Sequence, residues 1–304
     1  MNGIICVYKP TGYTSFDIIA IMRRLLNTKK IGHSGTLDPI AEGVLPVFAG
    51  AATRAIDYCP DTDKEYRAGF RIGTTTDTQD ISGQELSRVN SNIPDEVLLS
   101  RIKAAILNYI GEIEQIPPMY SAVKVKGKRL YDLARKGIEV ERTPRKITVH
   151  SIEIEHYADS EGIIKISCSK GTYVRTLIHD IGQSIGFGAV MTALQRTKSN
   201  GFALGDCYTL EELREIHAAN PAKLESLLKP LDILFDYPKG YLDERQTELY
   251  RNGAILNADL VKLQQIYDGF YSLYDSDNRI VALAKIGEDH SLLIEHRFHY
   301  SGSV

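Results

Sequence analysis

The sequence has 304 residues, of which 43% are hydrophobic and 25% are charged, the balance of a soluble globular protein with one large or two ordinary domains. A net charge of −3 excludes a global basic field, so any polyanion would have to bind a local patch. The four cysteines lack Cys-x-x-Cys spacing and no apolar run reaches the roughly 20 residues of a membrane span, so we expect a cytoplasmic protein without a redox motif or a membrane anchor.

The first predicted elements are a strand over residues 1–8 and a helix that begins after a turn. Thr14, followed three residues later by Asp17, has the spacing of a capping box. Apolar residues recur at helical spacing from Ile18 onward, which predicts a helix with one buried face. Lys9 lies in the turn, and the pattern leaves two interpretations open for it, a solvated residue or a contact to a phosphate group.

The segment 32–46 contains three glycines and two prolines, which predicts a loop rather than a regular helix or strand. Asp38 precedes Pro39, and a following proline biases a residue toward extended geometry. One interpretation makes Asp38 a helix N-cap with Pro39 at the first helical position. The other notes that residues 44–48 are strongly apolar, so that the loop lies on a core and presents a positioned nucleophile or base.

Residues 64–72 alternate between apolar and polar positions, which predicts a strand with Tyr66 on its buried face. By this pattern alone Tyr66 is a core residue. The loop over residues 73–80 is rich in oxygen-bearing side chains but lacks the spacing of a calcium loop, so no metal site is predicted there.

A second amphipathic helix begins at Pro94 and is followed by the most basic part of the chain. Residues 124–146 contain nine lysines and arginines against three acidic residues, with Tyr120 and Tyr131 interleaved. Such a run is commonly a solvated face. Its concentration in an otherwise slightly acidic chain favours contact with a phosphate backbone.

In the last part of the chain, the sequence predicts a strand over residues 163–168 and a helix around Leu177. The sequence pattern changes near Tyr237. Arg175, taken alone, is a surface or ion-pairing residue, and spacing does not place it near Asp38. From Tyr237 onward short strand-like runs alternate with turn residues, which predicts a small all-β module. Its seven basic and ten acidic residues leave the module negative.

The reaction is not defined by Asp38 alone. A single carboxylate is compatible with nucleophilic catalysis, general base catalysis or capping. No second carboxylate occupies a comparable rigid loop, which argues against an ordinary glycosidase with its carboxylate pair. A phosphate-binding glycine loop followed by Lys-Ser/Thr is missing from the sequence, which argues against nucleotide hydrolysis.

Several motifs of the sequence, taken together and in their order along the chain, resemble those of the bacterial tRNA pseudouridine-55 synthases. The segment around Asp38 resembles the signature loop of that family, and its aspartate falls on the family's catalytic aspartate. The resemblance covers nearly the whole chain. The other motifs are Lys9-Pro10-x-Gly12-x-Thr14-Ser15, Lys64-Glu65-Tyr66, Pro117-Pro118-x-Tyr120-Ser121-Ala122-x-Lys124, Gly171-Thr172-Tyr173-Val174-Arg175 and Leu194-x-Arg196-Thr197.

The resemblance implies an α+β fold with two domains. Residues 1–237 would form a mixed catalytic domain around a central antiparallel sheet, and residues 238–304 a small all-β PUA-like RNA-binding domain. It implies an isomerase that converts one uridine in the TψC loop of tRNA to pseudouridine without a cofactor or metal. The tRNA stem-loop is the implied partner, with no membrane and no obligate protein partner.

The resemblance also implies a role for individual residues. Asp38 would act on a uridine that is flipped out of the folded loop, and Arg175 would keep its carboxylate ionised. Whether the intermediate is covalent at the sugar, covalent at the base, or a glycal stays open.

The remaining implied residues contact the substrate. Tyr66 would stack on the extruded uracil, replacing the core interpretation, and Tyr173 and Leu194 would line the floor of the pocket. His33 would fill space or contact RNA where the base leaves, and Lys9 is grouped with these contacts.

Two rival hypotheses remain at this point. One is an RNA-binding or RNA-folding protein that uses the same cleft without chemistry. The other is a nucleoside glycosidase with Asp38 as nucleophile, which would release uracil instead of isomerising the nucleotide.

Overall fold

The computed structural model describes residues 2–60, 63–90 and 93–298. Up to residue 237 the strands are, in order, β1 (Gly3–Lys9), β2 (Ile31–His33), β3 (Ala41–Ala49), β4 (Lys64–Ile72), β5 (Thr74–Thr76), β6 (Glu85–Arg88), β7 (Gly111–Gln115), β8 (Lys124–Val125), β9 (Lys128–Arg129), β10 (Arg145–Ala158), β11 (Glu161–Cys168), β12 (Ala189–Ser199), β13 (Phe202–Ala203) and β14 (Cys207–Tyr208). The helices are α1 (Ser15–Leu25), α2 (Asp95–Ile106), α3 (Leu130–Ala134), α4 (Val174–Ser184), α5 (Leu210–Ala219) and α6 (Pro221–Ser226).

Ten of these strands form one large sheet in the order β14-β1-β3-β12-β4-β11-β10-β7, with β2 paired to β3 and β13 paired to β12. The α+β expectation is confirmed, but the sheet is mixed rather than purely antiparallel. The pairs β1–β14 and β3–β12 run parallel. The connection from β11 to β12 passes through helix α4 instead of a hairpin, which brings β12 back to the middle of the sheet.

In the first half of the chain, the predictions that depend only on residues within a single element are confirmed. Thr14 and Asp17 make both bonds of the capping box that begins α1, and Ile18 and Met22 of that helix are buried. Strand β4 has the predicted bounds and the predicted buried face.

The segment 32–46 is only partly the loop that its glycines and prolines predict. His33 ends β2, β3 begins at Ala41, and only residues 34–40, hereafter the Asp38 loop, are irregular. The prediction is wrong for residues 41–46 because β3 pairs with β1 on one side and β12 on the other. The helix N-cap interpretation is also wrong, since the chain after Asp38 turns directly into β3 with Ala41 N–H donating to the Asp38 carbonyl at 3.0 Å.

The C-terminal part is a small β unit with one helix. Its elements are β15 (Lys239–Tyr241), α7 (Glu244–Arg251), β16 (Lys262–Leu263), β17 (Tyr271–Tyr274), β18 (Ile280–Ile286) and β19 (Leu292–Arg297). The strands form a separate sheet in the order β16-β15-β17-β18-β19. The all-β prediction missed α7, whose start is capped by Asp243 and Gln246. Residues 299–304 of the predicted domain lie outside the described residues.

Four hydrophobic cores hold these elements together. Helices α2 and α4 pack on β4, β10 and β11 in one core, and α1 and α5 pack on alternate residues of β1 and β3 in another. The third core joins the two sheets, because Ile4 and Phe48 of the large sheet pack with Tyr274 and Leu283 of the small one and with Phe298, which follows its last strand. The fourth lies inside the small unit. Within the described ranges, no helix has the length and apolar character needed to cross a membrane.

Candidate active site

Asp38 and Arg175 form an ion pair across 137 positions of sequence, with Arg175 Nε donating to Asp38 Oδ2 at 2.9 Å. Arg175 is 4% exposed, and its two terminal nitrogens donate to the carbonyls of Thr78 at 2.6 Å and Tyr120 at 2.9 Å. The Asp38 side chain is 38% exposed. The guanidinium is therefore fixed from inside the protein while the carboxylate it orients remains accessible.

A second carboxylate, Asp80, contacts the same guanidinium from the buried side. Its Oδ2 lies 3.6 Å from Arg175 Nε, and its Oδ1 accepts bonds from the Thr78 hydroxyl and the Ser82 amide at 2.8 and 3.0 Å. Sequence reasoning missed Asp80, because the oxygen-rich loop over residues 73–80 was tested only as a metal site. Two anions on one buried cation compensate its charge and hold it in place.

The Asp38 loop is braced on both sides of the aspartate by the turn that precedes α1. Gly12 N–H donates to the Pro39 carbonyl at 2.8 Å. The Ser15 hydroxyl accepts from the Leu37 amide at 2.8 Å and donates to the Leu37 carbonyl at 3.1 Å. These bonds hold the residues on either side of Asp38, which explains how a short loop can present a carboxylate in one direction.

Lys9 is a buried structural residue, and the structure overturns both interpretations made from sequence. It is 0% exposed, and its ammonium donates to the carbonyls of Pro10, Tyr13 and Ala41 at 3.0, 2.6 and 2.5 Å. Burial lowers the pKa of Lys9 to about 8, with the charge of Asp38 acting in the opposite direction. A group enclosed in this way neither meets solvent nor reaches a phosphate; it ties the turn to the start of β3.

A cavity of about 260 Å³ opens beside the Asp38 carboxylate. Three of the residues expected to hold a base line this cavity. They are Tyr66 of β4, Leu194 of β12, and Tyr173, which directly precedes α4. The cavity is close to the lower end of the range of small-molecule sites, roughly 300 Å³, and suits a group of about the size of a nucleobase. The other lining residues are Gly35, Thr36, Leu37, Lys64, Ser121, Ala122, Gly171, Thr172, Val174 and Arg175.

Tyr66 and Tyr173 are held in the cavity wall by different means. Tyr66 is 6% exposed, so it belongs to the core, as its strand pattern predicts, and lines the cavity as well. The backbone of Tyr173 is clamped by Gln115, whose amide oxygen accepts from Tyr173 N–H at 2.8 Å and whose amide nitrogen donates to the Tyr173 carbonyl at 3.1 Å. No local pattern in the sequence indicates this role for Gln115.

His33 lies at the end of β2, next to the Asp38 loop but outside the residues that line the cavity. Its Nδ1 is buried and has no hydrogen-bond partner among the described residues. Burial lowers the pKa of the imidazole, and the nearby charge of Arg196 lowers it further. A neutral ring at this position suits packing or stacking rather than contact with a phosphate.

Two family descriptions match adjoining parts of the chain. The N-terminal domain of the TruB family of pseudouridylate synthases matches residues 23–174, and the C-terminal domain of tRNA pseudouridylate synthase B matches residues 175–236. The chain belongs to the TruB family. Asp38 and Tyr66 fall within the first match and Arg175 and Leu194 within the second, so the cavity lies where the two meet.

Curated relatives in the TruB family cover most of the chain. The protein called tRNA pseudouridine synthase B from Alkaliphilus oremlandii is 42% identical over 269 residues, 88% of this chain and 85% of the relative. Proteins of the same name from Clostridium perfringens and Halalkalibacterium halodurans are 40% identical over 290 residues and 44% identical over 262 residues. They cover 95% and 84% of this chain, and 96% and 85% of the relatives.

Solved structures agree with this assignment at the level of the fold. A chain in the crystal structure of a Cbf5-Nop10-Gar1 complex is similar with a TM-score of 0.71 and 26% identity, over 98% of this chain and 85% of that chain. A chain in the structure of an H/ACA RNP bound to a substrate RNA that contains 2'-deoxyuridine has the same TM-score at 23% identity, over 99% of this chain and 86% of that one.

The most basic part of this TruB-family chain lies next to the cavity. Strands β8 and β9 form a small hairpin in which Lys124, Lys126 and Lys128 are exposed. Ser121 and Ala122, which lead into this hairpin, line the cavity. The hairpin thus places free positive charge at the edge of the cleft.

The structure contains no cluster of three or more metal-ligating side chains in residues 2–60, 63–90 and 93–298. The cavity is lined by the Asp38 carboxylate, the Arg175 guanidinium, Lys64, two tyrosine rings, and hydroxyl-bearing and aliphatic side chains. Asp80 contacts the same guanidinium but does not line the cavity. This set can orient and act on an uncharged planar ring.

Proposed function

We propose that this chain is an isomerase that converts uridine 55 in the TψC loop of tRNA to pseudouridine, with Asp38 as its catalytic residue. The observation that carries the proposal is the accessible Asp38 carboxylate, oriented by buried Arg175 at the mouth of a base-sized cavity, in a member of the TruB family. The relatives' shared name, tRNA pseudouridine synthase B, supports tRNA as the substrate.

The geometry suits a nucleotide that has left its stack. A stacked uridine exposes neither its glycosidic bond nor its C5, so the base has to be flipped into the cavity before reaction. There Tyr66 and Tyr173 offer aromatic faces and Leu194 an aliphatic one, which hold a base without reading its edge. His33, beside the loop rather than in the cavity, is suited to packing where the base leaves.

Asp38 then acts on the held uridine by nucleophilic attack or by proton abstraction. The C1′–N1 bond breaks, the uracil turns, a C1′–C5 bond forms, and the hydrogen on C5 leaves as a proton while N1 gains one. The reaction is balanced without an oxidant or a cofactor. The reaction requires an ionised Asp38, whose Oδ2 accepts a hydrogen bond from Arg175 Nε at 2.9 Å.

Two further features would bind the rest of the tRNA. The basic hairpin at the edge of the cleft supplies charge for the phosphate backbone. We assign residues 1–237 to the catalytic domain and 238–304 to a PUA-like RNA-binding domain, supported by the separation of the two sheets at residues 208–239. Because this second unit is net negative, it would contribute shape and a few contacts rather than electrostatic attraction.

The decisive experiment uses an unmodified tRNA transcript that carries tritium at uracil C5, with the purified chain alone and no added cofactor or partner protein. We expect tritium release at constant RNA mass in the wild type and no release above background in Asp38→Asn. The matched control is Asp57→Asn, an exposed aspartate outside the cavity. The same assay tests the expectations that no protein partner and no cofactor are needed.

Other results would identify the rivals. Free uracil with an abasic site would indicate a glycosidase. Tight binding of tRNA without tritium release would favour an RNA-binding protein. Tritium release that requires a second protein would refute only the stand-alone part of the proposal.

A further inference from the structure

Besides Arg175 and Lys9, Arg196 is a third buried cation beside the Asp38 loop, and it lacks the carboxylate partners that Arg175 has. It is 0% exposed, and no acidic side chain of the described residues lies within ion-pair distance of it. A charge buried without a counter-ion is costly unless its donors are satisfied. Nη1 is buried and has no hydrogen-bond partner among the described residues. The reason for the presence of Arg196 should therefore be found in what its other two nitrogens donate to.

The donors of Arg196 meet the chain just before and just after Asp38. Nε donates to the carbonyl of Val44 at 2.8 Å, and one terminal nitrogen donates to the carbonyl of Gly35 at 3.1 Å. Gly35 lies in the first half of the Asp38 loop and Val44 lies in β3, which leaves it. One planar group thus joins the start of the loop to the strand that follows it.

At Arg196 the backbones of β12 and β3 approach each other closely. Arg196 is the register partner of Gly43 on parallel β3 and of Tyr66 on antiparallel β4. Gly43 has φ = 102°, and a Cβ there would overlap the Arg196 carbonyl oxygen. Only glycine allows β3 to approach β12 so closely, and the approach brings the loop exit within reach of the guanidinium.

The position of the charge agrees with this geometry. Burial lowers the pKa of Lys9, His33 and Lys64, which surround the Asp38 loop, and the charge of Arg196 lowers each of them further. The side chain does not itself line the cavity. It therefore acts on the site through its neighbours and not by touching a substrate.

We propose that Arg196 is a positioning residue for Asp38, holding the start of the Asp38 loop against strand β3, which follows the loop, while Arg175 orients the carboxylate. The proposal rests on the function proposed above, since it assigns a catalytic consequence to the loop position. A cation is suited to the task because one guanidinium offers donors in two directions in a fixed plane, which a lysine ammonium does not.

The test compares Arg196→Lys with the control Lys198→Met, an exposed cation two residues along the same strand. Lysine keeps the charge and most of the volume but cannot bridge Gly35 and Val44. Under single-turnover conditions we expect the rate constant at saturating enzyme to fall on the order of 10²-fold in Arg196→Lys. The half-saturating concentration should stay within about twofold of the wild type, because RNA contacts are unchanged. The control should match the wild type in both.

A second measurement is independent of activity. Hydrogen–deuterium exchange over residues 34–40 should become faster in Arg196→Lys, while exchange in β10 and β11, far along the sheet, stays at the wild-type rate. A wild-type rate constant in Arg196→Lys would overturn the proposal. So would a loss of rate that matches a loss of folded protein, with faster exchange throughout the sheet. If the wild type itself released no tritium, the proposed function would fail, and the exchange experiment would still decide whether Arg196 holds the loop.

Discussion

Arg175 makes contacts to three separate segments of the chain, and its place at the site follows from that. Its Nε meets Asp38 and lies near Asp80, and its terminal nitrogens donate to the carbonyls of Thr78 and Tyr120. A planar group with five N–H donors can satisfy this many acceptors in one plane. Removing it would leave Asp80 buried without its cation and Asp38 without its orienting partner.

Replacing Arg175 should therefore impair turnover more than tRNA binding. In Arg175→Ala we expect the single-turnover rate constant to fall on the order of 10²-fold or more, since a misplaced reacting group costs about that much. Arg175→Lys should be nearly as slow, because an ammonium does not reproduce the planar arrangement of donors in a guanidinium. The dissociation constant for tRNA should change by only a few fold.

The control for this prediction is Arg71→Ala, an exposed arginine of β4 paired with Glu161 on the surface. It should turn over at the wild-type rate, since an exposed pair contributes little to stability. A rate near wild type in Arg175→Ala would show that the ion pair with Asp38 is not needed for catalysis.

At the scale of elements, the hairpin of β8 and β9 extends the site beyond the cavity. Its lysines are exposed and have no acidic partner within ion-pair distance among the described residues. The Tyr131 ring of α3 lies between Arg129 and Arg135, with their guanidinium carbons 5.7 and 5.5 Å from its centroid. Cations and an aromatic ring beside a base-sized cavity form a surface suited to a polynucleotide backbone.

Reversal of charge in this hairpin should weaken binding in a salt-dependent way. In the triple variant Lys124→Glu, Lys126→Glu and Lys128→Glu, the plot of log affinity against log salt should become shallower by roughly 0.7–0.9 for each phosphate that the protein no longer neutralises. Filter binding of tRNA at several salt concentrations measures this slope.

The matched control reverses three exposed lysines on separate elements, Lys103 of α2, Lys223 of α6 and Lys262 of β16. It carries the same change of net charge. If both triple variants flattened the slope equally, the effect would come from net charge alone and the hairpin would be an ordinary solvated face.

At the scale of the whole molecule, the two sheets share one hydrophobic core. Phe298, beyond the last strand, is 2% exposed and stacks on Phe235 with ring centroids 5.9 Å apart. The same core includes Ile4 and Phe48 from the two strands that pair beside the Asp38 loop. The C-terminal unit is therefore packed onto the catalytic part through buried side chains.

This shared core predicts that the chain unfolds as one unit. We expect Phe298→Ala to lower the free energy of unfolding by about 3–5 kcal/mol, as for other large-to-small changes in cores. Calorimetry should show a single transition that moves to lower temperature as a whole. The exposed Phe16, 65% accessible, provides the control Phe16→Ala, which should leave the transition in place. Two transitions, of which only one moved, would show that the units are independent.

Much of the local structure follows from the sequence by itself. The capping box at Thr14, the alternation of β4 and the turn at Asn200 each depend on neighbours within a few residues, so the pattern contains the information that decides them. The apolar run after Asp38 similarly indicates that its loop lies on a core. The family motifs single out Asp38 as the expected catalytic residue, but they do not encode the geometry of its site.

The tertiary structure alone decides the properties that depend on which distant segments of the chain contact each other. Residues 41–46 become a strand because β1 and β12 lie on either side. Lys9 is enclosed because the turn after β1 and the start of β3 supply the carbonyls around its ammonium. Asp80 reaches Arg175, and Arg196 reaches the start of the loop and the strand that follows it, only once β12 has been inserted between β3 and β4. Local periodicity indicates which face of an element is buried but not which other element covers that face. The burial of these charged groups depends on which element covers them.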